Sequence, residues 1–338
     1  MKQLTDHTDT RKKIFNVSPQ GFNDLAIAVF RFQYANNTFY REYCDSIGTE
    51  APAVLQLQQI PFLPIQFFKS REIKTTAFDP ELIFESSGST GSVNSRHFIK
   101  DSGIYEESFL KAFDIFYGNP ANYCIIGLLP SYLERQNASL VWMVNELIKR
   151  SGHPQSGFYL YDHEKLEATL LENERAAQQT ILIGVTYALL DFFEAYPMQL
   201  HHTIIMETGG MKGRKAELTR PAVQEQLMKQ SGVAAIHSEY GMTELLSQAY
   251  SKKEGIFTCP PWMKVLARAE DDPFDIRLPE SIPGSAAAGI INVADLANLY
   301  SCSFIATDDI CKLHKDGSFE VQGRLDNSDV RGCSLMLL

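Results

Sequence analysis

The sequence predicts an α/β protein: a mostly parallel, helix-covered sheet joined to a smaller antiparallel β subdomain. Three observations predict it. From about residue 83 to residue 240, short apolar runs alternate with helical segments, as in parallel strands linked by crossover helices. Beyond Ala249 the texture changes, and Pro260, Pro261, Pro273, Pro279 and Pro283 punctuate short strand-like runs. Of the 338 residues, 44% are hydrophobic and 21% charged, with no compositionally simple region. That composition supplies a sizeable core and argues against disorder.

The elements follow in order. Residues 22–44 carry apolar side chains at mixed three- and four-residue spacings and predict helix. Phe62, Leu63, Pro64, Ile65, Phe67 and Phe68 predict an extended connector pressed on the core, ended by Lys69. Residues 82–85 predict a short strand, 86–95 a loop, and 101–117 a helix with Ile104, Tyr105, Phe109, Phe113 and Phe116 at helical spacing. A buried strand is predicted at 124–129 and a helix at 140–150, with Gly152 as its stop signal. Runs 180–184, 203–206 and 233–238 predict further strands. The longest apolar stretch, 181–193, is interrupted by Asp191 and falls short of the roughly 20 residues that span a bilayer. It reads as a buried strand running into a helix. Runs 289–293 and 319–321 predict strands of the antiparallel sheet. The expected organisation is a helical N-terminal segment, 1–75, packed on an α/β core, 76–250, followed by a β-rich subdomain, 251–338.

Charge and cysteine usage exclude several classes. A net charge of −10 without a basic stripe argues against nucleic-acid binding and against a polybasic lipid surface. Residues 1–17 lack the apolar centre of a secretory signal. Cys44, Cys124, Cys259, Cys302, Cys311 and Cys333 form no C-x-x-C pair, which disfavours a zinc site or a disulfide framework and fits a cytoplasmic setting. No Gly-x-Ser-x-Gly elbow occurs, His163-Glu164 lacks the second histidine of a helical zinc motif, and His201 and His202 are adjacent. Serine and zinc hydrolases are therefore disfavoured.

Three motifs carry chemistry. Ser86, Ser87, Gly88, Ser89, Thr90 and Gly91 follow a predicted strand. Glycines let backbone N–H groups approach an anion and form a phosphate nest, and hydroxyls add donors; the alternative is a flexible surface loop. No Gly-Lys-Ser/Thr closes it as a Walker loop. Ser238, Glu239, Tyr240, Gly241, Met242, Thr243 and Glu244 follow the apolar run 233–236, the strand end where open α/β sheets bind ligands. Tyr240 could stack on a base and Glu244 hold Mg²⁺; otherwise this is a turn and a solvated helix start. Thr307, Asp308 and Asp309 precede Gly323, Arg324, Leu325 and Asp326. A carboxylate accepts hydrogen bonds from both ribose hydroxyls, and an arginine reaches ribose or phosphate oxygens; the alternative is an exposed acidic turn and a surface ion pair.

In this order the motifs resemble those of the adenylate-forming superfamily of acyl-CoA synthetases, luciferase and peptide-synthetase adenylation domains. The resemblance runs from about Phe62 to the end and implies the N-terminal-domain fold of that superfamily. Its phosphate loop resembles residues 86–91, its Tyr-Gly-x-Thr-Glu motif 240–244, its Thr-Gly-Asp motif 307–309 and its Gly-Arg-x-Asp hinge 323–326. Asp308 stands where the family has glycine, so Asp309 matches the ribose ligand. A narrower resemblance is to LuxE-like acyl-protein synthetases. It is carried by residues 61–65 with Lys69, by the loop 86–95, by Pro130, Ser131, Tyr132, Leu133, Glu134 and Arg135, by Glu207, Thr208, Gly209, Gly210, Met211, Lys212, Gly213 and Arg214, and by Val330, Arg331, Gly332 and Cys333.

The resemblance implies ATP and Mg²⁺ as cofactors and a fatty or other carboxylic acid as substrate. The acid is adenylated, and its acyl group then passes to a thiol. Cofactor contacts fall on residues 86–91, Tyr240, Gly241, Thr243, Glu244, Asp309 and Arg324, with Glu244 on the metal. Gly209, Gly210 and Met242 line the acyl pocket. Cys333 matches the family's acyl-accepting cysteine, with Arg331 favouring its thiolate. Family members continue past the hinge into a small domain bearing a catalytic lysine, whereas Leu338 here follows the hinge closely. The expectation is that Lys212 or Arg214 does part of that electrostatic work, or that a partner completes the site. A partner reductase or acyl carrier is the other expected acceptor. Two rivals stand beside this reading: an aryl- or acyl-CoA ligase, and a catalytically silent nucleotide-binding scaffold subunit.

Overall fold

A computed structural model describes residues 7–86, 93–129, 137–209 and 219–325. The chain divides into two compact units. One comprises residues 1–109, 241–248 and 258–328, the other 110–240, 249–257 and 329–338.

The second unit is built on a sheet of six strands in the order Gly157–Phe158, Cys124–Leu128, Thr180–Val185, Thr203–Thr208, Ile236–Tyr240, Ala249–Ser251. All neighbours pair in parallel except the last two strands, which are antiparallel. Every residue of Cys124–Leu128 and Thr180–Val185 is buried, which is why these strands read as unbroken apolar runs rather than as alternation. The stretch 181–193 is indeed a strand leading straight into a helix, Thr186–Ala195. The predicted 140–150 helix spans Ser139–Ser151. It closes on Gly152, whose left-handed φ of 63° turns its N–H back to the Ile148 carbonyl. Helices His163–Arg175 and Arg220–Ser231 complete the crossovers.

The first unit carries the antiparallel sheet, in the order Phe319–Arg324, Phe304–His314, Ala286–Asp295, Met263–Arg268, Ile276–Arg277. Leu63–Pro64 lies parallel along Phe304–His314. The hairpin Leu82–Glu85 with Arg96–Ile99 brackets the Gly/Ser loop. Two expectations need correction. The helix predicted over 22–44 is two helices, Phe22–Asn36 and Thr38–Ser46, parted at Asn37. Asn37 is buried and extended, caps the second helix by accepting from Tyr40 N, and donates to the Ser301 carbonyl at 3.1 Å. The connector at 62–68 is not wholly extended either, because a helical turn, Phe67–Ser70, begins within it. The core centres on Trp262, 1% exposed, whose ring N–H reaches the hydroxyls of Ser108 and Ser247 at 3.1 and 3.0 Å. Among the described residues no helix is long and apolar enough to cross a membrane.

Candidate functional site

In the first unit, strand Phe304–His314 alternates buried with half-buried residues. Thr307-Asp308-Asp309 is therefore not an exposed turn but the middle of a strand, with its two acids on opposite faces. Asp309, 5% exposed, sits opposite Arg324 on the neighbouring strand, and Arg324 Nε donates to Asp309 Oδ1 at 2.8 Å. The Arg324 side chain remains 72% exposed. Asp308 takes the other face, where Gln66 donates to it at 2.5 Å and the Arg268 guanidinium lies within its field.

Glu244 joins the Asp309 side of this arrangement. It is 5% exposed and is no solvated helix start. Burial pushes its carboxyl up from the ordinary range, a hydrogen bond from Ser95 and the Arg324 charge oppose that rise, and the Asp309 charge adds to it. Ser95 returns from the Gly/Ser loop and is tied to its start: Ser86 N donates to the Ser95 carbonyl at 3.0 Å, and Ser95 N to Ser86 Oγ at 2.8 Å. The foot of that loop, Glu244 and the Asp309–Arg324 pair thus share one electrostatic neighbourhood.

The segment 241–248 has no regular ladder, so buried side chains satisfy its backbone. His97 Nδ1 meets the Thr243 carbonyl at 2.9 Å, and Asn298 Nδ2 donates to the Glu244 carbonyl at 2.7 Å. Leu246 N donates to Asp295 Oδ2 and to Asn298 Oδ1, both at 2.9 Å. Ser247 donates to Asp295 through both N–H and hydroxyl, at 2.9 and 2.6 Å. Burial still pushes the Asp295 carboxyl up to about 6 despite these donors. Sequence reasoning passed over His97, Asp295 and Asn298. One local signal was present for Asp295: an acid closing an apolar strand, which caps the following turn through Ala297 N at 3.1 Å.

Gly241 and Met242 also lie in the first unit, while Tyr240 and Gly209 lie in the second. Tyr240 ends strand Ile236–Tyr240 at 8% exposure, with its ring 6.0 Å from Phe257 and inclined at 61°. Gly209 follows strand Thr203–Thr208 with a φ of 72°, and its carbonyl accepts from Thr186 Oγ1 at 2.6 Å. Glu207, buried beside it, accepts from Thr186 at 2.7 Å and from Ser238 at 3.0 Å. Glu239, one position from Tyr240, is pushed up to about 7 by burial, partly offset by a short hydrogen bond from Thr208.

No family model matches the chain. It is 25% identical, over 340 residues, to the long-chain-fatty-acid–luciferin-component ligase of Vibrio harveyi, and the match covers 93% of this chain and 86% of that ligase. The chain is homologous to that ligase over nearly its whole length. Among solved structures it is similar to the luciferase-like enzyme of the mealworm Zophobas morio, with a TM-score of 0.48 and 16% identity over 75% of this chain. It is likewise similar to o-succinylbenzoate coenzyme A synthetase of Bacillus subtilis in complex with AMP, with a TM-score of 0.47 and 15% identity over 76% of this chain. The chain spans 60% and 50% of those longer proteins.

Ser87, Gly88, Ser89, Thr90, Gly91, Gly210, Lys212, Arg214 and Cys333 lie outside the described residues. Among the described residues no group of three or more His, Cys, Asp or Glu side chains gathers as a metal cage. The donor set at Glu244 still fits Mg²⁺, which is commonly held by one or two carboxylates together with phosphate oxygens and water. A carboxyl that burial drives toward its neutral form is also one that a bound cation returns to the ionised form.

Proposed function

We propose that the chain activates a long-chain fatty acid as its acyl-adenylate, using ATP, and passes the acyl group to a thiol. The observation that carries this reading is the meeting of Ser95, Glu244, Asp309 and Arg324 in one unit. A hydroxyl at the foot of a Gly/Ser loop, a buried carboxylate, and a carboxylate–guanidinium pair are what a magnesium-bound nucleoside triphosphate needs from a protein. The fatty acid is suggested by the Vibrio harveyi relative.

A free carboxylate is a poor acyl donor because oxide is a poor leaving group. In the first step the carboxylate oxygen forms a bond to the α-phosphorus while the bond to the pyrophosphate oxygen breaks. The products are the mixed anhydride and pyrophosphate. Such chemistry depends on positioning and charge neutralisation more than on covalent catalysis. Residues 86–91 and Arg324 are the proposed phosphate contacts and Asp309 the proposed acceptor from the ribose hydroxyls, with Tyr240, Gly241 and Thr243 as further proposed nucleotide contacts. Glu244 would hold Mg²⁺, which would supply further charge neutralisation. Gly209, Gly210 and Met242 are the proposed acyl contacts, and Lys212 and Arg214 the proposed sources of positive charge. The strand alternation that puts Asp309 with Glu244 and Arg324 supports Asp309 over Asp308 in the ribose role.

In the second step a thiolate attacks the anhydride carbonyl, the thioester forms and AMP leaves. Cys333 is that thiol, or passes the group to a partner protein. What supports Cys333 is the state of the other five cysteines. Burial pushes Cys44, Cys259 and Cys311 each up to about 12 and raises Cys124 and Cys302 as well, which leaves them almost no nucleophilic thiolate near neutral pH.

Intact-mass measurement after incubation with ATP, Mg²⁺ and a mixture of fatty acids tests the reading. The expected result is a mass gain of one acyl group, labile to hydroxylamine and abolished by Cys333→Ser. A persistent label in Cys333→Ser overturns the acceptor assignment. A coenzyme A thioester as the sole acyl product would place the chain with acyl-CoA ligases instead.

A further inference from the structure

We propose that His97 is a positioning residue for adenylation, holding the Thr243 carbonyl through its Nδ1–H and thereby aiming the Glu244 carboxylate. The inference rests on the reading of Glu244 as the magnesium-binding acid.

His97 lies on strand Arg96–Ile99, which returns from the Gly/Ser loop, and is 1% exposed. Ser95, Arg96 and His97 are buried, exposed and buried in turn, so residues 95 and 97 share one face. That face grips one point of the chain twice: Ser95 binds the Glu244 side chain, and His97 binds the backbone carbonyl of the residue before it.

Proton counting fixes the ring's state. A carbonyl only accepts, so Nδ1 at 2.9 Å must carry hydrogen. The ring is enclosed, with Phe68 edge-on at 5.8 Å, and burial holds it neutral by pushing its pKa down to about 4. A neutral imidazole has one N–H, so Nε2 accepts from the Ser301 hydroxyl at 2.8 Å. A histidine serving only to fill space would need neither bond. This one anchors an irregular segment immediately before the acid that must be aimed.

The two nitrogens can be separated by substitution. An asparagine amide N–H₂ reaches the place of Nδ1, a glutamine amide that of Nε2, and leucine fills the volume with neither. The measurements are the Mg²⁺ dependence of ATP binding at equilibrium, without turnover, together with acid-dependent pyrophosphate exchange and thermal melting. Supporting residues of metal sites typically alter metal affinity or activity by about 10- to 100-fold. His97→Leu and His97→Gln are expected to raise the Mg²⁺ midpoint and lower the exchange kcat within that range, with KM for the acid unchanged. His97→Asn is expected to restore both to within about threefold of wild type, since it keeps the donor to Thr243.

If His97→Gln matches His97→Asn, or His97→Leu keeps the wild-type midpoint, the proposal is overturned. Should His97→Leu fail to fold, the Asn and Gln variants still decide it. If wild-type ATP binding shows no Mg²⁺ dependence, it is the underlying reading of Glu244 that fails.

Discussion

Asp308 and Asp309 are chemically identical neighbours with different surroundings. The two-residue period of a strand turns one toward Gln66 and the other toward Arg324 and Glu244. Removing hydrogen bonds to charged groups costs about 1.5–3 kcal/mol each, or roughly 10- to 100-fold in an affinity. Asp309→Ala is accordingly expected to lower kcat/KM for ATP within that range, and Asp308→Ala to change it by less than about threefold. Steady-state pyrophosphate exchange with varied ATP checks both, and equal losses would remove the ribose role from Asp309. The motif order in the sequence drew attention to this pair, but motif order could not choose between the two acids, because the choice depends on which face the strand buries. His97, Asp295 and Asn298 were harder to read. Their partners are backbone groups 146, 49 and 54 residues away in the chain, and such pairings leave no periodic trace. Asp295→Ala strands the Ser247 N–H in a buried site and leaves Leu246 N with Asn298 as its remaining acceptor. It is expected to destabilise by about 3 kcal/mol or more, read as a lowered midpoint in urea. A loss below about 1 kcal/mol would deny it the anchoring role.

At the scale of elements, the parallel strands announced themselves because burial on both faces demands continuous apolar runs, and Cys124–Leu128 and Thr180–Val185 are buried throughout. The Ser139–Ser151 helix was legible for another reason: Gly152 supplies the left-handed residue that ends it. The break between Phe22–Asn36 and Thr38–Ser46 was not legible, because apolar spacing continues across it. What decides the break is tertiary, namely the bonds from Asn37 to Ser301 and Thr75. Asn37→Ala removes a helix cap worth about 1 kcal/mol and leaves the Ser301 carbonyl short of one donor. A combined loss of about 2–3 kcal/mol is expected from denaturant melts. A loss under about 1 kcal/mol would show that the helix break does not depend on this side chain.

At the scale of the whole molecule, buried ionisable groups pull stability in opposite directions as pH changes. His97 and His237 are pushed down to about 4 from an ordinary value of 6.5, so the unfolded chain holds their protons more tightly, and stability rises with pH through that window. Asp295 and Glu239 are pushed up to about 6 and about 7 from ordinary values of 3.8 and 4.5. The folded state retains their protons, so their contribution is complete at low pH and is lost as pH rises through those higher values. These contributions oppose one another over the same pH range, so a difference curve isolates one group. The melting temperature of Glu239→Gln minus that of wild type is expected to increase by roughly 2–4 °C between pH 5 and pH 7.5. A flat difference would mean that Glu239 is ionised throughout that range.

The proposed reaction is the adenylation of a long-chain fatty acid. Acid-dependent exchange of labelled pyrophosphate into ATP tests it most directly, because exchange requires the adenylate to form reversibly before any thiol reacts. Exchange is expected to need both Mg²⁺ and a long-chain fatty acid, to survive Cys333→Ser, and to fall at least about 100-fold in Glu244→Gln. ATP binding without exchange for any fatty acid tried, or exchange untouched by Glu244→Gln, would contradict it.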